Sequence, residues 1–463
     1  MLPSITMKTA TLLLLLACLA PATLVAAESP LLSIGVARVD ITPDYPVRLH
    51  GYGNRRSNAV GVAQQLFAKA LALGTDREGA SVLLTVDNLG VPAAVTDEVA
   101  ARLQRRTGLA RAQVALCSSH THSAPMLSGV APNIFSADII PAQQAAIDRY
   151  THELTDRLES VALAALSNRA PSRLSRAEGR VTFARNRRVI RDGRAVFGEN
   201  PTAPVDHALP ALFVHDAAGR LRAVLANYAC HCTTLGGEWN QLHGDWSGCA
   251  QAALERDHPG AIALISIGCG ADANPTPRGK VELAEAYGRA LADEVNRLLT
   301  LPPRPLTQLP AGKIKRFALD FDPHPTRAQW EERAAKPGIT GYHARKQLAR
   351  LDRGEALPAT LPYFVQTWTF GDELAMVFLA GEVVVDFQLR LKRELDARRL
   401  WVNAYANDVP CYIPSRRILA EGGYEAEDSL WYYDRPARLA TSTEDKIIAA
   451  VHELLPGKFA APQ

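Results

Sequence analysis

The chain has 463 residues, of which 47% are hydrophobic and 21% are charged. These values are typical of a soluble globular protein with one large domain or two fused ones. Its 51 basic and 48 acidic residues leave a formal net charge of +3. Because this surplus is small and no run of Lys or Arg concentrates it, the charge argues against nucleic acid as a partner.

The N-terminus predicts export. Lys8 precedes an apolar run over residues 11–20, and small residues follow before position 28. This pattern is typical of a secretory signal peptide over residues 1–27, so we expect a mature chain of residues 28–463 that is secreted or periplasmic. A lipoprotein signal ending at Cys18 and a buried N-terminal helix are weaker alternatives. The apolar run is too short for a membrane span, and no other segment of the sequence is apolar over a sufficient length.

The cysteines indicate possible disulfides. Export places the chain where disulfides can form, and six cysteines remain after the predicted cleavage. We expect some of them to be paired, although a chain of this size does not need disulfides to fold. No Cys-x-x-Cys pair occurs, which argues against a zinc site built from thiolates.

Short apolar runs alternate with amphipathic stretches along the chain. The apolar runs predict buried strands at residues 80–86, 114–118, 221–229, 261–267 and 374–380. Helical spacing predicts helices over residues 93–105, 142–166, 248–255, 281–299 and 384–395. This alternation predicts an α/β fold with mixed β-sheets flanked by helices. Prolines at 302, 303 and 305 form the one stretch that resembles a hinge; the pattern resumes after it, so we expect a single unit.

Two histidines, His120 and His122, lie directly after the predicted strand at residues 114–118. In open α/β sheets, ligands bind beyond the carboxyl ends of the strands, and imidazole is a common zinc ligand. The motif is short. A pair of loop histidines that only hydrogen-bond to the main chain is therefore an equally good interpretation.

Three further polar positions share this location. His231 and Glu382 each follow a predicted strand, and Tyr412 lies in a Pro-containing loop with Tyr424 downstream. A buried carboxylate is costly unless it is paired or bound to a metal. Taken singly, these residues have plainer interpretations, namely a structural histidine, a glutamate at a helix N-terminus and two packing tyrosines. Their common position beyond strand ends is the reason to group them.

In their order along the chain, these motifs resemble those of the neutral ceramidases. The resemblance rests on residues 120–125, 227–234 and 381–382, the Tyr412 loop, and an opening strand at residues 34–42. It implies a ceramidase-like catalytic domain over residues 28–463. It also implies one bound Zn²⁺, with four ligands: His120, His231, Glu382 and Tyr412.

The resemblance also implies the residues that face the substrate. His122 and Tyr424 would face the scissile amide, since the family keeps a second tyrosine twelve residues after the metal-binding one, as here. Arg187 resembles the family's substrate-contacting arginine. Apart from the resemblance, metal-binding histidines usually have a partner that orients them, and Asp245 and Asp272 are candidates for that role; a surface or capping role is the plainer alternative for both.

Two departures from the family pattern bear on the substrate. The family's Gly-Asp-x-Ser-Pro-Asn motif carries a serine beside the zinc, and Asn274 stands at that position here. An amide is not a nucleophile, although it can donate a hydrogen bond to an oxyanion. In addition, the β-sandwich domain that follows the ceramidase catalytic domain is expected to be absent. Both departures leave ceramide itself in question.

The sequence therefore predicts a zinc-dependent hydrolase that cleaves an amide bond, in ceramide or a related N-acyl lipid, by metal-activated water. His122, Tyr424 and Asn274 would stabilise the tetrahedral oxyanion or protonate the leaving amine. The partner is a small-molecule or lipid substrate, which allows peripheral membrane contact. Two alternatives stay open: a non-catalytic relative that binds a lipid or carbohydrate, and a zinc esterase or amidase for a non-lipid substrate.

Overall fold

The computed structural model describes residues 30–461 and, before them, Pro3 alone. The predicted signal peptide over residues 1–27, with the alternative lipoprotein site at Cys18, therefore lies outside the described residues apart from that one position. Within the described part of the chain, no helix is both long enough and apolar enough to cross a membrane.

Strands and helices alternate along the described residues. The strands are β1 (Leu32–Asp40), β2 (Phe67–Leu73), β3 (Ser81–Val86), β4 (Val114–Ser118), β5 (Ala170–Arg180), β6 (Ala184–Arg191), β7 (Arg194–Asn200), β8 (Ala208–Asp216), β9 (Leu221–Tyr228), β10 (Ile262–Ile267), β11 (Ala273–Pro275), β12 (Arg304–Leu306), β13 (Pro310–Asp320), β14 (Thr360–Phe370), β15 (Leu374–Leu379), β16 (Glu382–Val383), β17 (Leu400–Asn403) and β18 (Tyr412–Ile413). The helices are α1 (Ala93–Thr107), α2 (Pro141–Ser167), α3 (Asp245–Asp257), α4 (Val281–Leu299), α5 (Arg327–Ala334), α6 (Gly338–Asp352), α7 (Val385–Glu394), α8 (Arg416–Glu421) and α9 (Thr443–Leu454). Every predicted strand and helix is present, and β4 and α4 have the predicted bounds.

The larger sheet has the strand order β10-β9-β8-β5-β1-β2-β3-β4, with β12 paired to β5. The pairs β9–β10 and β3–β4 are parallel, and the other neighbours are antiparallel. The mixed α/β fold class is thus confirmed. The proline stretch does not form a hinge, because its last proline lies within β12 and pairs with β5; an edge position tolerates proline, which cannot donate to a strand partner.

A second sheet, in the order β13-β14-β15-β17, packs face to face on the first. Trp368 and Phe378 of this sheet share a buried cluster with Leu71, Leu83 and Leu225 of the larger one. Helices α2 and α3 contact the larger sheet, while α9 contacts β13 and β14. Both sheets are therefore covered by helices on their outer faces, and their buried strands read as continuous apolar runs.

The expected disulfides are not formed. All six cysteines that follow the predicted signal peptide lie within the described residues, and none of them is paired. Five are buried in apolar surroundings and Cys249 is half-buried. Burial raises the pKa of the Cys411 thiol to about 12, so it stays protonated and packs as a small apolar side chain. A core of this size is stable without cross-links.

Asn407 joins the two sheets at the edge where the candidate site lies. Its main-chain N–H donates to the carbonyl of Leu116 in β4 at 2.7 Å, and its Oδ1 accepts from the Leu116 N–H at 3.0 Å. Its Nδ2 donates to Oε1 of Gln366 in β14 at 2.8 Å. Asn407 has φ 63°, a left-handed conformation that asparagine tolerates better than most residues.

We expect Asn407→Ala to lower the free energy of unfolding by about 2–4 kcal/mol. The substitution leaves the buried Leu116 N–H and the Gln366 Oε1 without these partners, and it places alanine in a left-handed conformation. Urea denaturation measures the loss. Asn296→Ala, at a half-buried position on α4, is the matched control and should cost about 1 kcal/mol or less. Equal losses in the two variants would contradict a role for Asn407 in joining the sheets.

Candidate metal centre

The four predicted metal ligands lie just beyond the carboxyl ends of parallel strands. His120 follows β4, which pairs with β3, and His231 follows β9, which pairs with β10. Glu382 follows β15, and Tyr412 follows β17; these two strands are parallel neighbours. Carboxyl ends of parallel neighbours meet at the same edge of a sheet, so all four positions reach one region.

Two main-chain pairings then set the four positions against one another. Thr121 pairs with Cys232 in an isolated bridge, which places the loops of His120 and His231 side by side. Glu382 is directly opposite Tyr412 in the short parallel pair β16–β18. The candidate site is thus held by backbone hydrogen bonds rather than by flexible loops.

The ligand atoms of these four residues converge. Oε2 of Glu382 lies 3.1 Å from Nε2 of His120 and 3.2 Å from Nε2 of His231. Nε2 of His231 also lies 3.2 Å from the hydroxyl oxygen of Tyr412. All four side chains are buried. The structure therefore brings together the complete set that the sequence resemblance implied.

Main-chain carbonyls fix the tautomer of both histidines. Nδ1 of His120 lies 2.7 Å from the carbonyl oxygen of Leu89, and Nδ1 of His231 lies 2.9 Å from that of Gly270. A carbonyl can only accept, so each Nδ1 carries the hydrogen and each Nε2 presents a lone pair. Burial lowers the pKa of His231 to about 3, which keeps its imidazole neutral.

Asp245 and Asp272 do not orient the histidines as predicted. The Asp245 carboxylate accepts from main-chain N–H groups, including that of Leu235 at 2.9 Å and that of Trp246 at 2.7 Å. The Asp272 carboxylate accepts from the N–H of Val385 at 2.9 Å, at the start of α7. Both carboxylates stabilise turns. Main-chain carbonyls, rather than these carboxylates, lie against the Nδ1 atoms of the two histidines.

Glu382 presents an unpartnered oxygen to these lone pairs. Its Oε1 accepts a hydrogen bond from the hydroxyl of Tyr433, whereas its buried Oε2 has no hydrogen-bond donor. An ionised oxygen facing two imidazole lone pairs is unfavourable unless a cation lies between them. Two nitrogen and two oxygen donors around one point are a ligand set that suits a divalent metal ion. The residues present therefore fit a bound metal.

His122 belongs to the same group but differs in exposure. Its Nε2 lies 3.1 Å from Nε2 of His120, and the three histidines lie close enough together to share one ion. Unlike His120 and His231, His122 is half-buried and lines an open cavity. Its Nδ1 lies 3.2 Å from the carbonyl oxygen of Gly51, so its Nε2 also presents a lone pair. Burial lowers the pKa of His122 well below its usual value.

Close packing behind the histidines constrains the backbone. His120 has φ 58° and Tyr405 has φ 51°, and their rings stack with centroids 4.2 Å apart. Left-handed conformations of such residues cost about 1–2 kcal/mol each, and they cluster at functional sites. A Cβ atom on Gly51 would lie 2.5 Å from Cγ of His122, so only glycine fits at that position.

The cavity beside the metal centre has a volume of about 520 Å³. Aromatic and basic side chains form half of its lining residues, and residues of the predicted site form part of its surface. These lining residues include His122, Arg187, Asn274, Tyr412, Tyr424, Phe197, Tyr432, Ile134, Tyr52, Arg185, Arg278 and Glu199. All the predicted catalytic residues therefore face one cavity, whereas His120, His231 and Glu382 lie behind its wall.

Arg187 connects the metal centre to this cavity. Its guanidinium donates to Glu425 Oε1 at 2.8 Å, to Asn274 Oδ1 at 3.2 Å and to the Tyr412 hydroxyl oxygen at 3.0 Å. Burial and Glu382 raise the pKa of Tyr412 well above its usual value, and Arg187 opposes that rise. Since each terminal nitrogen of Arg187 already has a protein acceptor, the residue holds Tyr412 and Asn274 in place.

The amide of Asn274 has a fixed orientation. Its Oδ1 accepts from Arg187 and from the Thr233 hydroxyl, each at 3.2 Å. Arginine nitrogens can only donate, so Oδ1 lies on that side and the Nδ2 donor is left for the cavity. Tyr424 lies nearby, with its ring centroid 5.3 Å from that of Tyr412 and 4.9 Å from that of Phe197.

Sequence reasoning missed Tyr433, which hydrogen-bonds to Glu382. The next residue, Asp434, anchors this segment to α6, because its Oδ1 accepts from Nε2 of Gln347 at 2.8 Å and its Oδ2 accepts from Arg350. Tyr433 stands in an aromatic run with Trp431 and Tyr432. Such a run usually indicates packing, and no spacing in the sequence singles out one member.

We expect Tyr433→Phe to weaken the affinity for a divalent metal by about 10- to 100-fold, the usual effect of removing a partner that orients a ligand. Competition with a chromophoric chelator measures the affinity for zinc. Tyr150→Phe is the matched control, since it also removes a buried hydroxyl, which donates to the Ile41 carbonyl at 3.0 Å. An unchanged affinity in Tyr433→Phe would show that Glu382 does not need this hydrogen bond.

Comparison with known proteins agrees with this architecture. The chain superimposes on a structure titled as a crystal structure analysis of neutral ceramidase from Pseudomonas aeruginosa, with a TM-score of 0.69, 18% identity and coverage of 94% of this chain and 76% of that one. A structure titled as ceramidase complexed with C2 gives a TM-score of 0.68, 18% identity and coverage of 94% and 77%. No curated protein sequence matches the chain. The family model described as neutral/alkaline non-lysosomal ceramidase, N-terminal, matches residues 32–266, just over half of the chain. The chain therefore belongs to the neutral/alkaline non-lysosomal ceramidase family.

Proposed function

We propose that this protein is a zinc-dependent hydrolase that cleaves the amide bond of an N-acyl lipid, ceramide or a relative of it. The observation that carries the proposal is the convergence of two imidazole lone pairs and the unpartnered Glu382 Oε2 behind a cavity lined with aromatic side chains. Family membership supports the reaction class. The predicted signal peptide would deliver the activity to the periplasm or the cell exterior, where peripheral membrane contact would give access to lipids.

The donor set favours zinc over harder ions. His120, His231, Glu382 and Tyr412 offer two nitrogens and two oxygens, and zinc accepts such mixed ligands in tetrahedral sites. Neighbouring donor atoms lie 3.1–3.2 Å apart, so these four residues would be close enough to hold one zinc ion together. The chemistry that zinc supplies when bound is positive charge, which polarises a carbonyl and makes water more acidic.

His122 is the residue that we assign to proton transfer. It is the member of the histidine group that faces the cavity, and burial, which lowers its pKa, keeps the imidazole neutral, so that Nε2 carries a lone pair. In amide hydrolysis, water forms a new C–O bond and the C–N bond breaks. His122 would take the proton from water and then give it to the departing nitrogen.

Asn274 and Tyr424 would stabilise the tetrahedral oxyanion. The Nδ2 of Asn274 is left for the cavity because Oδ1 is held on the other side. Burial raises the pKa of Tyr424, so its hydroxyl stays protonated and can donate. Donors placed before the reaction begins are among the largest contributors to catalysis. Since asparagine cannot attack a carbonyl, we propose direct hydrolysis without an acyl-enzyme.

Arg187 acts through its neighbours in this proposal. We expected it to contact the substrate directly, and it does line the cavity. Its hydrogen bonds to Tyr412 and Asn274 favour a positioning role, because these bonds couple a metal ligand to an oxyanion donor. Phe197, Tyr432 and Ile134 supply apolar wall for the acyl chain.

We expect the purified protein to hold about one zinc per chain and to hydrolyse a fluorogenic N-acyl amide. The double variant His120→Ala and His231→Ala should lose both properties, because it removes both nitrogen ligands. Elemental analysis and turnover with and without chelator measure them. His152→Ala, at an exposed position on α2, is the matched control and should keep both. Full zinc in the double variant, or no amide turnover by the unaltered protein, would contradict the proposed function.

We expect Asn274→Ala to slow amide hydrolysis by about 100- to 1000-fold, the usual loss when one oxyanion donor is removed. Zinc content should not change, since Asn274 is not a ligand. Single-turnover kinetics with an activated amide measures the rate, and mass spectrometry of the quenched protein detects any acyl group. Asn296→Ala again serves as control. An acylated side chain would overturn direct hydrolysis, and an unchanged rate would remove Asn274 from the oxyanion site.

A further inference from the structure

The mouth of the cavity carries more positive charge than its immediate surroundings balance. The charged lining residues are Arg185, Arg187, Arg278 and Glu199. Arg187 is neutralised by the buried Glu425, at 2.8 Å. Two arginines and one glutamate remain, and Glu199 lies 3.9 Å from Arg185. Arg278, which is exposed at the mouth of the cavity, therefore adds a positive charge that no lining carboxylate pairs with.

Arg278 has no carboxylate partner among the described residues. Arg102 and Arg390 each reach two or more carboxylates, whereas Arg345 and Arg435, like Arg278, donate to oxygens of neutral groups. The hydrogen bond that Arg278 makes within the described residues is to a neutral oxygen. Its Nη2 donates to the hydroxyl oxygen of Tyr52 at 2.8 Å.

One hydrogen bond nevertheless orients this exposed arginine. The Tyr52 hydroxyl that accepts from Arg278 donates in turn to the main-chain carbonyl of Leu235 at 2.8 Å. This chain of two hydrogen bonds fixes one edge of the guanidinium, while its remaining N–H groups have no acceptor within the described residues. A pre-positioned guanidinium with free donors binds carboxylate, sulfonate or phosphate groups better than it binds neutral hydroxyls.

The position of Arg278 relative to His122 indicates which end of the substrate it would bind. The Tyr52 ring, which accepts from Arg278, also packs against the ring of His122, with centroids 5.0 Å apart. One tyrosine ring therefore separates the arginine from the histidine that we assign to the leaving nitrogen. A group bound at Arg278 would lie on the amine side of the scissile bond, a short distance from it.

We propose that the preferred substrate is an N-acyl amine whose amine part carries an anionic group, bound by Arg278, on a short linker. The proposal rests on the proposed function, because it uses the same cavity and the same role of His122. The added claim is that the amine part of the substrate is negatively charged. The neutral diol head of ceramide would leave the free donors of Arg278 without an anionic acceptor.

A pair of substrates with one acyl chain tests the charge preference. We expect kcat/KM for N-dodecanoylglycine to exceed that for N-dodecanoylethanolamine by about tenfold or more, the ratio that one charge-assisted hydrogen bond supplies. Arg278→Gln should lower the value for the anionic substrate more than for the neutral one, so that the ratio falls towards one. Arg256→Gln, at an exposed position on α3, is the matched control and should keep the ratio.

The outcomes separate this inference from the proposed function. Hydrolysis of both amides with equal kcat/KM, or a ratio that Arg278→Gln leaves unchanged, would overturn the inference and keep the amidase. If neither amide is hydrolysed, isothermal titration calorimetry of the zinc-loaded protein decides the inference alone. We then expect N-dodecanoylglycine to bind about tenfold more weakly to Arg278→Gln than to the unaltered protein; equal binding would overturn it.

Discussion

The buried carboxylate of Glu382 is the group on which the rest of the candidate site depends. Its Oε1 is held by Tyr433, and its Oε2 faces two imidazole lone pairs without a hydrogen-bond donor. This arrangement is costly in a metal-free protein, because the carboxylate oxygen and the two nitrogen lone pairs face one another away from water. The surrounding features, from the carbonyls behind His120 and His231 to the left-handed backbone at His120, all hold it in place.

A chain of hydrogen-bonded charged and polar side chains connects the metal centre to the cavity. Glu425 holds Arg187, which in turn holds both Tyr412 and Asn274. The amide of Asn274 is thus fixed, because its Oδ1 accepts from two donors. The same network therefore orders both a candidate metal ligand and a residue that lines the cavity.

The sequence predicted the elements well and the connections between them less well. Apolar periodicity located β4 and α4 with their bounds, because burial on a sheet or along a helix leaves a local pattern. The expectation of disulfides was wrong, and the proline stretch that resembles a hinge ends in a strand. Proline 305 is accommodated on an edge strand, and the cysteines pack as apolar side chains. In both cases the outcome depends on neighbours that are distant in sequence.

The sequence by itself determined which side chains are available as metal ligands and that each of them follows a strand. His120, His231, Glu382 and Tyr412 could be grouped on that basis and on the family resemblance. Only the tertiary structure decided that Glu382 lies opposite Tyr412, that main-chain carbonyls rather than Asp245 or Asp272 orient the imidazoles, and that Tyr433 completes the centre. The physical reason is that side-chain type and periodicity are local properties. Strand register and the reach of a carbonyl are set by the packing of segments far apart in the chain.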